Sequence, residues 1–228
     1  MAIIRVGILV FPQVQQLDLT GPFEVFASLP ETEVRLVWKE VTPITSATGL
    51  RLEPDLAFAD CPQFDVLCVP GGVGVNALME DAEVLDFLRG QAAGARYVTS
   101  VCTGSMVLAA AGLLLGKRAT THWASHDLLA PLGAIPVQAR VVRDGNVFSG
   151  GGVTAGIDMA LTVAAELVGR ETAEGVQLFL EYAPDPPFAS GRPETASAPV
   201  LAAVRERGRA SRTTREAIVA RLRAAKAG

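Results

Sequence analysis

Residues 96–111 read Arg96-Tyr-Val-Thr-Ser-Val-Cys102-Thr-Gly104-Ser-Met-Val-Leu-Ala-Ala-Ala111. A short β-type run, Tyr97–Val101, ends directly at Cys102, and a helix-forming run begins just after Gly104. Small residues, Ser100 and Gly104, stand two positions before and two positions after the cysteine. A nucleophile on a sharp strand-to-helix turn needs this spacing, because bulk at either position would clash across the turn. The stretch therefore predicts a nucleophile elbow.

The position of Cys102 also predicts its chemistry. At the N-terminus of a helix, unpaired N–H groups and the helix dipole favour the thiolate, so we expect a lowered pKa. The alternative is an unreactive core cysteine, since free cysteine is among the most buried residue types. The local sequence leaves both interpretations open.

The rest of the chain surrounds this elbow with alternating strand and helix patterns. Its 228 residues, half of them hydrophobic, suit one α/β domain or one domain with an appendage. Apolar runs such as Phe64–Val69 are typical of buried parallel strands. The pattern predicts an α/β fold with a largely parallel central sheet.

Composition excludes several classes of partner and places the protein in the cytoplasm. The net charge of −4 argues against a nucleic-acid partner. The three cysteines show no C-x-x-C spacing, which argues against disulfides and a zinc ribbon and favours a reducing compartment. The N-terminus lacks a basic region followed by a cleavage site, and no apolar run is long enough to span a bilayer. We therefore expect neither a membrane partner nor secretion.

The charge divides the chain into two segments. We assign residues 1–188 to a catalytic domain and residues 189–228 to a proline-containing passage followed by a basic helical tail. The segment 199–228 carries a net charge of +6, which leaves −10 for the rest. This tail is interpreted as a solvated helix face or a helix lying on acidic surface. The alternative is an arm that contacts another subunit.

Two loops are expected to face the elbow. Gly21-Pro22 predicts the start of a helix at Phe23, which places Asp18 in the loop after the first strand. In open parallel sheets such loops line the ligand crevice, although Asp18 could instead serve only to complement the helix dipole. The Gly71–Gly74 loop after the next buried strand lets backbone N–H groups approach a ligand, but its spacing is not a phosphate motif.

The chain has two histidines, His122 and His126, four positions apart. Such a pair can begin a metal site, but no H-E-x-x-H motif and no third ligand accompany it, so we expect no metal. His122 follows a short predicted strand and could approach Cys102 to form a Cys–His arrangement. A hydrogen-bonded structural role for His122 remains the alternative.

The chain resembles the ThiJ/PfpI superfamily and, within it, the isonitrile hydratase branch. The resemblance runs almost from end to end. The stretches that carry it are Val14–Pro22, Val69–Gly72, Val98–Ser105, Gly116–Trp123, Arg140–Asn146, Gly150–Asp158 and Leu180–Pro184. The elbow and the Thr-Thr-His-Trp segment specify only the superfamily. The Gln-Gln-Leu-Asp loop, Cys102-Thr103 and the proline-rich region indicate the branch.

The resemblance implies a flavodoxin-like three-layer sandwich and a homodimer. It implies hydration of isocyanides to N-substituted formamides through a thioimidate on Cys102, with Asp18 as general acid and base and Thr103 assisting. Gly72, Val73 and His122 are expected to bind substrate or stabilise charge. No organic cofactor or metal is expected.

Two alternatives to hydration remain from the sequence. One is a glyoxalase-like carbonyl enzyme that uses the same thiol, and the other is a cysteine-based stress sensor without catalytic activity. Thr103 and Asp18 stand where many protease- and glyoxalase-like members of the superfamily have His and Glu, which weighs against those activities.

Overall fold

A seven-stranded sheet forms the centre of the computed structural model, which describes residues 3–227. The strands in chain order are β1 (Ile4–Leu9), β2 (Thr32–Trp38), β3 (Ile44–Thr45), β4 (Arg51–Leu52), β5 (Leu56–Ala57), β6 (Val66–Val69), β7 (Tyr97–Val101), β8 (Arg118–Ala119), β9 (Ile135–Pro136), β10 (Val141–Asp144) and β11 (Val147–Gly150). The sheet order is β10-β11-β7-β6-β1-β2-β5, and only β10 runs antiparallel to its neighbour. The predicted α/β fold with a largely parallel sheet is confirmed.

The helices are α1 (Gln16–Ala27), α2 (Val75–Leu78), α3 (Ala82–Gly94), α4 (Gly104–Ala110), α5 (Ala155–Val168), α6 (Arg170–Phe179) and α7 (Ala198–Ala227). One face of the sheet is covered by α1 and α5, with α6 packed on α5, and the other by α3 and α4. The core consists of apolar side chains from β1, β6 and β7 and from the inward faces of these helices. Three layers result, as expected for a flavodoxin-like sandwich.

The strand order explains where the site lies. The chain moves from β1 outward to β2, and then crosses back to β6 on the other side of β1. Ligands of open α/β sheets bind at such a reversal, beyond the carboxyl ends of the strands. The loops that follow β1, β6 and β7 meet there, and they contain or adjoin Asp18, Gly72 and Cys102.

The first helix differs from the sequence prediction. Helix α1 begins at Gln16 rather than Phe23, so Asp18 lies in its first turn and Pro22 lies inside it. Tertiary packing accounts for this, because Leu19, Val25 and Phe26 are buried in the core on one side of the helix. Interior proline normally costs a helix about 3 kcal/mol, and this packing offsets that cost.

The basic tail forms one helix of 30 residues, α7, which packs through its second half. Ile218 and Val219 are buried, whereas residues 202–210 are exposed along their whole length. The second half contacts α2 and the 3-10 helix Trp123–Leu128. Among the helices of residues 3–227, none is both long and apolar enough to cross a membrane.

Candidate active site

Cys102 occupies the turn between β7 and α4 in a conformation that few non-glycine residues adopt. Its φ angle is +54°, in the left-handed region. Its backbone N–H donates to the carbonyl of Gly150 at 2.9 Å, which continues the pairing of β7 with β11. At Gly104 an added Cβ would lie 1.9 Å from the carbonyl oxygen of Val69. The small residue two positions after the cysteine is therefore required by the adjacent strand, in agreement with the predicted elbow.

The carbonyl of Cys102 is fixed by two buried hydroxyl groups. Thr121 Oγ1 donates to it at 2.9 Å, and Ser105 Oγ donates to it at 3.2 Å. A strained backbone conformation persists only where surrounding contacts hold it in place. These bonds hold the turn so that the thiol stays in its place at the end of the strand.

Asp18 reaches the elbow from α1 and is completely buried. Its Oδ2 accepts a hydrogen bond from the backbone N–H of Gly71 at 2.9 Å. Its Oδ1 is also buried and accepts no hydrogen bond from any residue that the structure describes. Burial raises the pKa of Asp18 to about 7, against the opposing effects of the Gly71 N–H and the Cys102 thiol. A carboxyl with this pKa can both donate and accept a proton at neutral pH.

The thiol of Cys102 differs from the prediction of a lowered pKa. Burial raises its pKa well above the ordinary value, and the neighbouring Asp18 carboxylate adds to this effect. The backbone N–H and hydroxyl of Thr103 act in the opposite direction, but they do not prevail. Only 6% of Cys102 is exposed, so loss of solvation outweighs the helix N-terminus. The thiol therefore holds its proton more tightly than Asp18 does.

The glycine loop after β6 packs directly against the elbow. The N–H of Gly72 donates to Thr103 Oγ1 at 3.1 Å, so this donor is already used within the site. Gly72 has a φ of +131°, and an added Cβ would lie 2.5 Å from the backbone nitrogen of Gln15. Val73 is half exposed and lies toward the rim. Gly72, Thr103 and Asp18 are thus brought together, with Val73 at the edge.

His122 follows Thr121 and caps the 3-10 helix Trp123–Leu128. Its Nδ1 accepts a hydrogen bond from the N–H of Ala124 at 3.3 Å. Burial lowers the pKa of His122, and the positive charge of Arg215 lowers it further. The neutral imidazole has a structural capping role here. No hydrogen bond joins it to Cys102 among the described residues.

The structure adds two residues to which the sequence analysis assigned no role. Thr121, beside His122, holds the Cys102 carbonyl. Arg215, in the basic tail, is 6% exposed and hydrogen-bonds to Ser125. Thr121 lies in the Thr-Thr-His stretch that carries the family resemblance, so a sequence signal for it exists. A run of basic residues in a tail does not distinguish Arg215 from its exposed neighbours.

The arrangement supplies a nucleophile and an acid–base group at one point. Cys102 and Asp18 can transfer one proton between them, and Oδ1 of Asp18 has no hydrogen-bond partner among the described residues. Among residues 3–227, no group of three potential metal ligands is assembled. The chemistry available from the chain's own residues is thiol addition with proton transfer.

Comparisons with known proteins place this site in context. The model of the DJ-1/PfpI family matches residues 4–166. A protein named isonitrile hydratase from Pseudomonas putida is 65% identical over 221 residues, which cover 97% of each chain. The crystal structure of a ThiJ/PfpI family protein from Pseudomonas syringae has a TM-score of 0.93 and 44% identity, and the match covers 96% of this chain and 91% of that one. Drosophila melanogaster DJ-1beta has a TM-score of 0.70 and 25% identity, covering 81% of this chain and 100% of its own.

Proposed function

The chain belongs to the DJ-1/PfpI family, and from this premise we propose that it hydrates isocyanides to N-substituted formamides. It is a lyase of the hydratase type. Its identity with the isonitrile hydratase of Pseudomonas putida over 97% of both chains supports this activity. The single structural observation that carries the proposal is the buried pair of Cys102 and Asp18, in which Asp18 has a pKa of about 7.

The first half of the reaction forms a covalent intermediate. The terminal carbon of an isocyanide, R–N≡C, bears a lone pair and becomes electrophilic when it is protonated. The proton of the Cys102 thiol passes to Asp18, which donates it to that carbon while the sulfur attacks as the thiolate. One S–H bond breaks and one C–H bond and one C–S bond form, giving the thioimidate R–N=CH–S–Cys102 and leaving Asp18 as the carboxylate. Covalent catalysis divides a difficult hydration into two easier steps.

The second half hydrolyses this thioimidate. The Asp18 carboxylate accepts a proton from water as the water oxygen adds to the thioimidate carbon, and it then donates that proton to the nitrogen. The C–S bond of the adduct R–NH–CH(OH)–S–Cys102 breaks while Asp18 transfers the hydroxyl proton to the sulfur, which releases R–NH–CHO and restores the Cys102–Asp18 pair. General acid–base assistance by a positioned carboxylate typically contributes ~10²–10⁴-fold. Net, one water molecule is added to one isocyanide.

Thr103 and the neighbouring loop assist in different ways. The Thr103 N–H and hydroxyl favour the charged form of Cys102, which supports a role in stabilising the attacking thiolate. Because Gly72 donates its N–H to Thr103, its contribution is to position that hydroxyl. We propose that the side chains of Val73 and His122 contact the R group.

Two accompanying proposals concern the assembly and the compartment. A homodimer is proposed from the family resemblance, and sedimentation velocity measures it directly. A cytoplasmic location is supported by the three cysteines, which are all free in the structure.

The test of the proposed function uses the purified chain with an alkyl or aryl isocyanide. We expect N-formamide to accumulate, and Cys102→Ala to abolish its formation while the variant remains folded. Full turnover by Cys102→Ala, or the absence of any turnover in the unmodified chain, contradicts the proposal. Lactate formation from methylglyoxal without isocyanide turnover would indicate the glyoxalase alternative. Oxidation of Cys102 by peroxide without either turnover would indicate the sensor.

A further inference from the structure

Arg215 projects from α7 into the protein and carries a charge that has no counter-ion. Its residue surface is 6% exposed. Nη1 donates to Ser125 Oγ at 2.8 Å, and Nη2 donates to Ser211 Oγ at 3.2 Å. Nε is buried and has no hydrogen-bond partner within the described part of the chain. No carboxylate of the described residues lies within ion-pair distance of Arg215, so both of its partners are neutral hydroxyls.

The neighbouring arginines of α7 behave differently. Arg212 forms a bidentate pair with Asp127, and its Nη2 lies 2.6 Å from Oδ2. Arg221 forms a bidentate pair with Glu80. A buried charge without a partner costs several kcal/mol of desolvation. Buried ionisable groups with shifted pKa values cluster at functional sites. Arg215 differs from Arg212 and Arg221 in having no carboxylate partner, which points to a function for Arg215.

A short series of hydrogen bonds leads from Arg215 to the elbow. Its acceptor, Ser125, donates its backbone N–H to the carbonyl of His122 at 2.8 Å. The residue before His122 is Thr121, which holds the carbonyl of Cys102 at 2.9 Å. Burial lowers the pKa of Arg215, and the charge of the Cys102 thiolate opposes that shift. Arg215 and the Cys102 carbonyl are thus linked through Ser125, His122 and Thr121.

The groups that face this site can be named from each element around it. Asp18 faces Cys102 from α1, and Thr103 contacts it from the elbow itself. The charge of Arg215 lowers the pKa of His122, which caps the 3-10 helix. The charge of Arg212, also on α7, lowers the pKa of Arg215. The pKa of Asp18 is set by burial, by the Gly71 N–H and by Cys102, whereas the charge of Arg215 is coupled to that of Cys102.

We propose that Arg215 is a positioning residue that shifts the thiol proton from the sulfur of Cys102 to the carboxyl of Asp18. The S–H bond breaks and an O–H bond forms on Asp18, with no change in the total number of protons. The nearby positive charge stabilises the thiolate product of this transfer. If the proposed hydration is correct, the same transfer prepares both the nucleophile and the acid that the first step requires.

This inference assigns α7 to the active site. The family model ends at residue 166, whereas Arg215 lies far beyond it. The second half of α7 also contacts the two segments beside the elbow. Asn76 of α2 donates to the carbonyl of Ser211 at 3.1 Å, and Arg212 donates to the carbonyl of Ala124 at 2.6 Å. The helix therefore holds Arg215 in a defined place above the strand ends.

The test measures the pH dependence of Cys102 alkylation by iodoacetamide, resolved from Cys61 and Cys68 by peptide mass spectrometry. In Arg215→Met we expect the midpoint to move to higher pH and the rate at pH 7 to fall about tenfold, at the low end for loss of a nearby opposite charge. Arg215→Lys retains the charge and should keep the midpoint close to that of the unmodified chain. The control Arg221→Met removes an equal charge from an exposed side chain of the same helix and should leave the midpoint unchanged.

A second variant tests the proposal without removing the arginine. Ser125→Asp places a carboxylate beside Nη1, and by neutralising the guanidinium it should move the midpoint in the same direction as Arg215→Met. An unchanged midpoint in either folded variant, or equal shifts in Arg215→Lys and Arg215→Met, would overturn the proposal. Because alkylation requires no isocyanide, this result is independent of the proposed function. Where turnover is present, kcat should fall in Arg215→Met while KM changes little.

Discussion

Asp18 and Cys102 are two acids buried side by side, and each is harder to ionise than in water. For both groups, burial is the largest cause of the raised pKa. A thiol in this state is a poor nucleophile until its proton moves to a neighbour. The unpaired Oδ1 of Asp18 is available to take part in that movement. The reactivity of Cys102 therefore depends on proton transfer to Asp18 as well as on the cysteine itself.

The raised pKa of Asp18 predicts a pH-dependent cost in stability. Its folded pKa of about 7 exceeds the ordinary aspartate value of 3.8, so the folded chain binds this proton more tightly than the unfolded chain. The stabilisation is complete below the unfolded pKa and is lost as pH rises through about 7. Asp18→Asn cannot ionise and should lack this loss. Between pH 4 and pH 8 the free energy of unfolding of the unmodified chain should fall by about 4 kcal/mol more than that of the variant.

Urea unfolding at several pH values measures this difference. Asp18→Asn should also lose isocyanide turnover, because the amide cannot supply or accept the proton. If the free energy of unfolding had the same pH dependence in both proteins, ionisation of the Asp18 carboxyl would not destabilise the folded state, and the prediction would be wrong.

At the scale of elements, three loops are held together by backbone contacts at the strand ends. Val14 and Gly72 form an isolated β-bridge, and Gln15 donates its N–H to the carbonyl of Gly71 at 2.8 Å. Cys102 in turn bonds to Gly150 of β11. Because the loop after β1 is tied to the loop after β6, the beginning of α1 is fixed and Asp18 is directed at the thiol. The site therefore depends on close approaches of backbone to backbone.

Gly104 tests how strictly one such approach is required. In Gly104→Ala the new Cβ would lie 1.9 Å from the carbonyl oxygen of Val69, a backbone atom that cannot rotate away. We expect α4 or β6 to shift, with a loss of about 3 kcal/mol in the free energy of unfolding. Thermal or urea unfolding provides the measurement.

The matched control is Gly90→Ala in α3, where an added Cβ meets no atom within 4 Å. Alanine is the better helix former, so this variant should gain about 1 kcal/mol. Equal effects of the two substitutions would mean that the elbow tolerates bulk two positions after the cysteine.

At the scale of the whole molecule, the basic tail lies on an acidic body. The tail carries +6 and the remainder −10, and Arg212 and Arg221 meet Asp127 and Glu80. Both pairs are partly exposed, so each contributes little to stability by itself. Burial of Ile218 and Val219 provides the larger part of the docking energy. The tail is thus a packed element over its second half, while its first half projects into solvent.

This docking predicts an effect of a distant apolar residue on activity. Ile218→Ala removes a side chain that is 3% exposed, and should lower the free energy of unfolding by about 2–4 kcal/mol. Turnover should fall as well, because α7 holds the 3-10 helix next to His122. Val204→Ala, on the exposed first half of the same helix, should change neither quantity. Unchanged turnover in Ile218→Ala would show that the packing of α7 does not affect the active site.

The sequence alone determined the elbow and the sheet. Steric clashes across a turn act between residues two positions apart, so Ser100, Cys102 and Gly104 predict the elbow from local sequence. Continuous apolar runs likewise predict which strands are buried. The hairpin of β10 and β11 follows from its Asp-Gly turn for the same reason. The order of the elements predicts that Asp18 lies beyond the first strand, and the family resemblance implies its acid–base role, but neither predicts that Asp18 is part of α1.

Only the tertiary structure decided the states of these groups. Core packing of α1 overrides the breaking effect of Pro22, and burial reverses the direction of the Cys102 pKa expected from a helix N-terminus. Arg215 lies 113 positions after Cys102, and nothing in a run of basic residues shows which of them is buried without a counter-ion. Desolvation and long-range charge depend on what surrounds a group in space, and spacing along the chain does not record those surroundings.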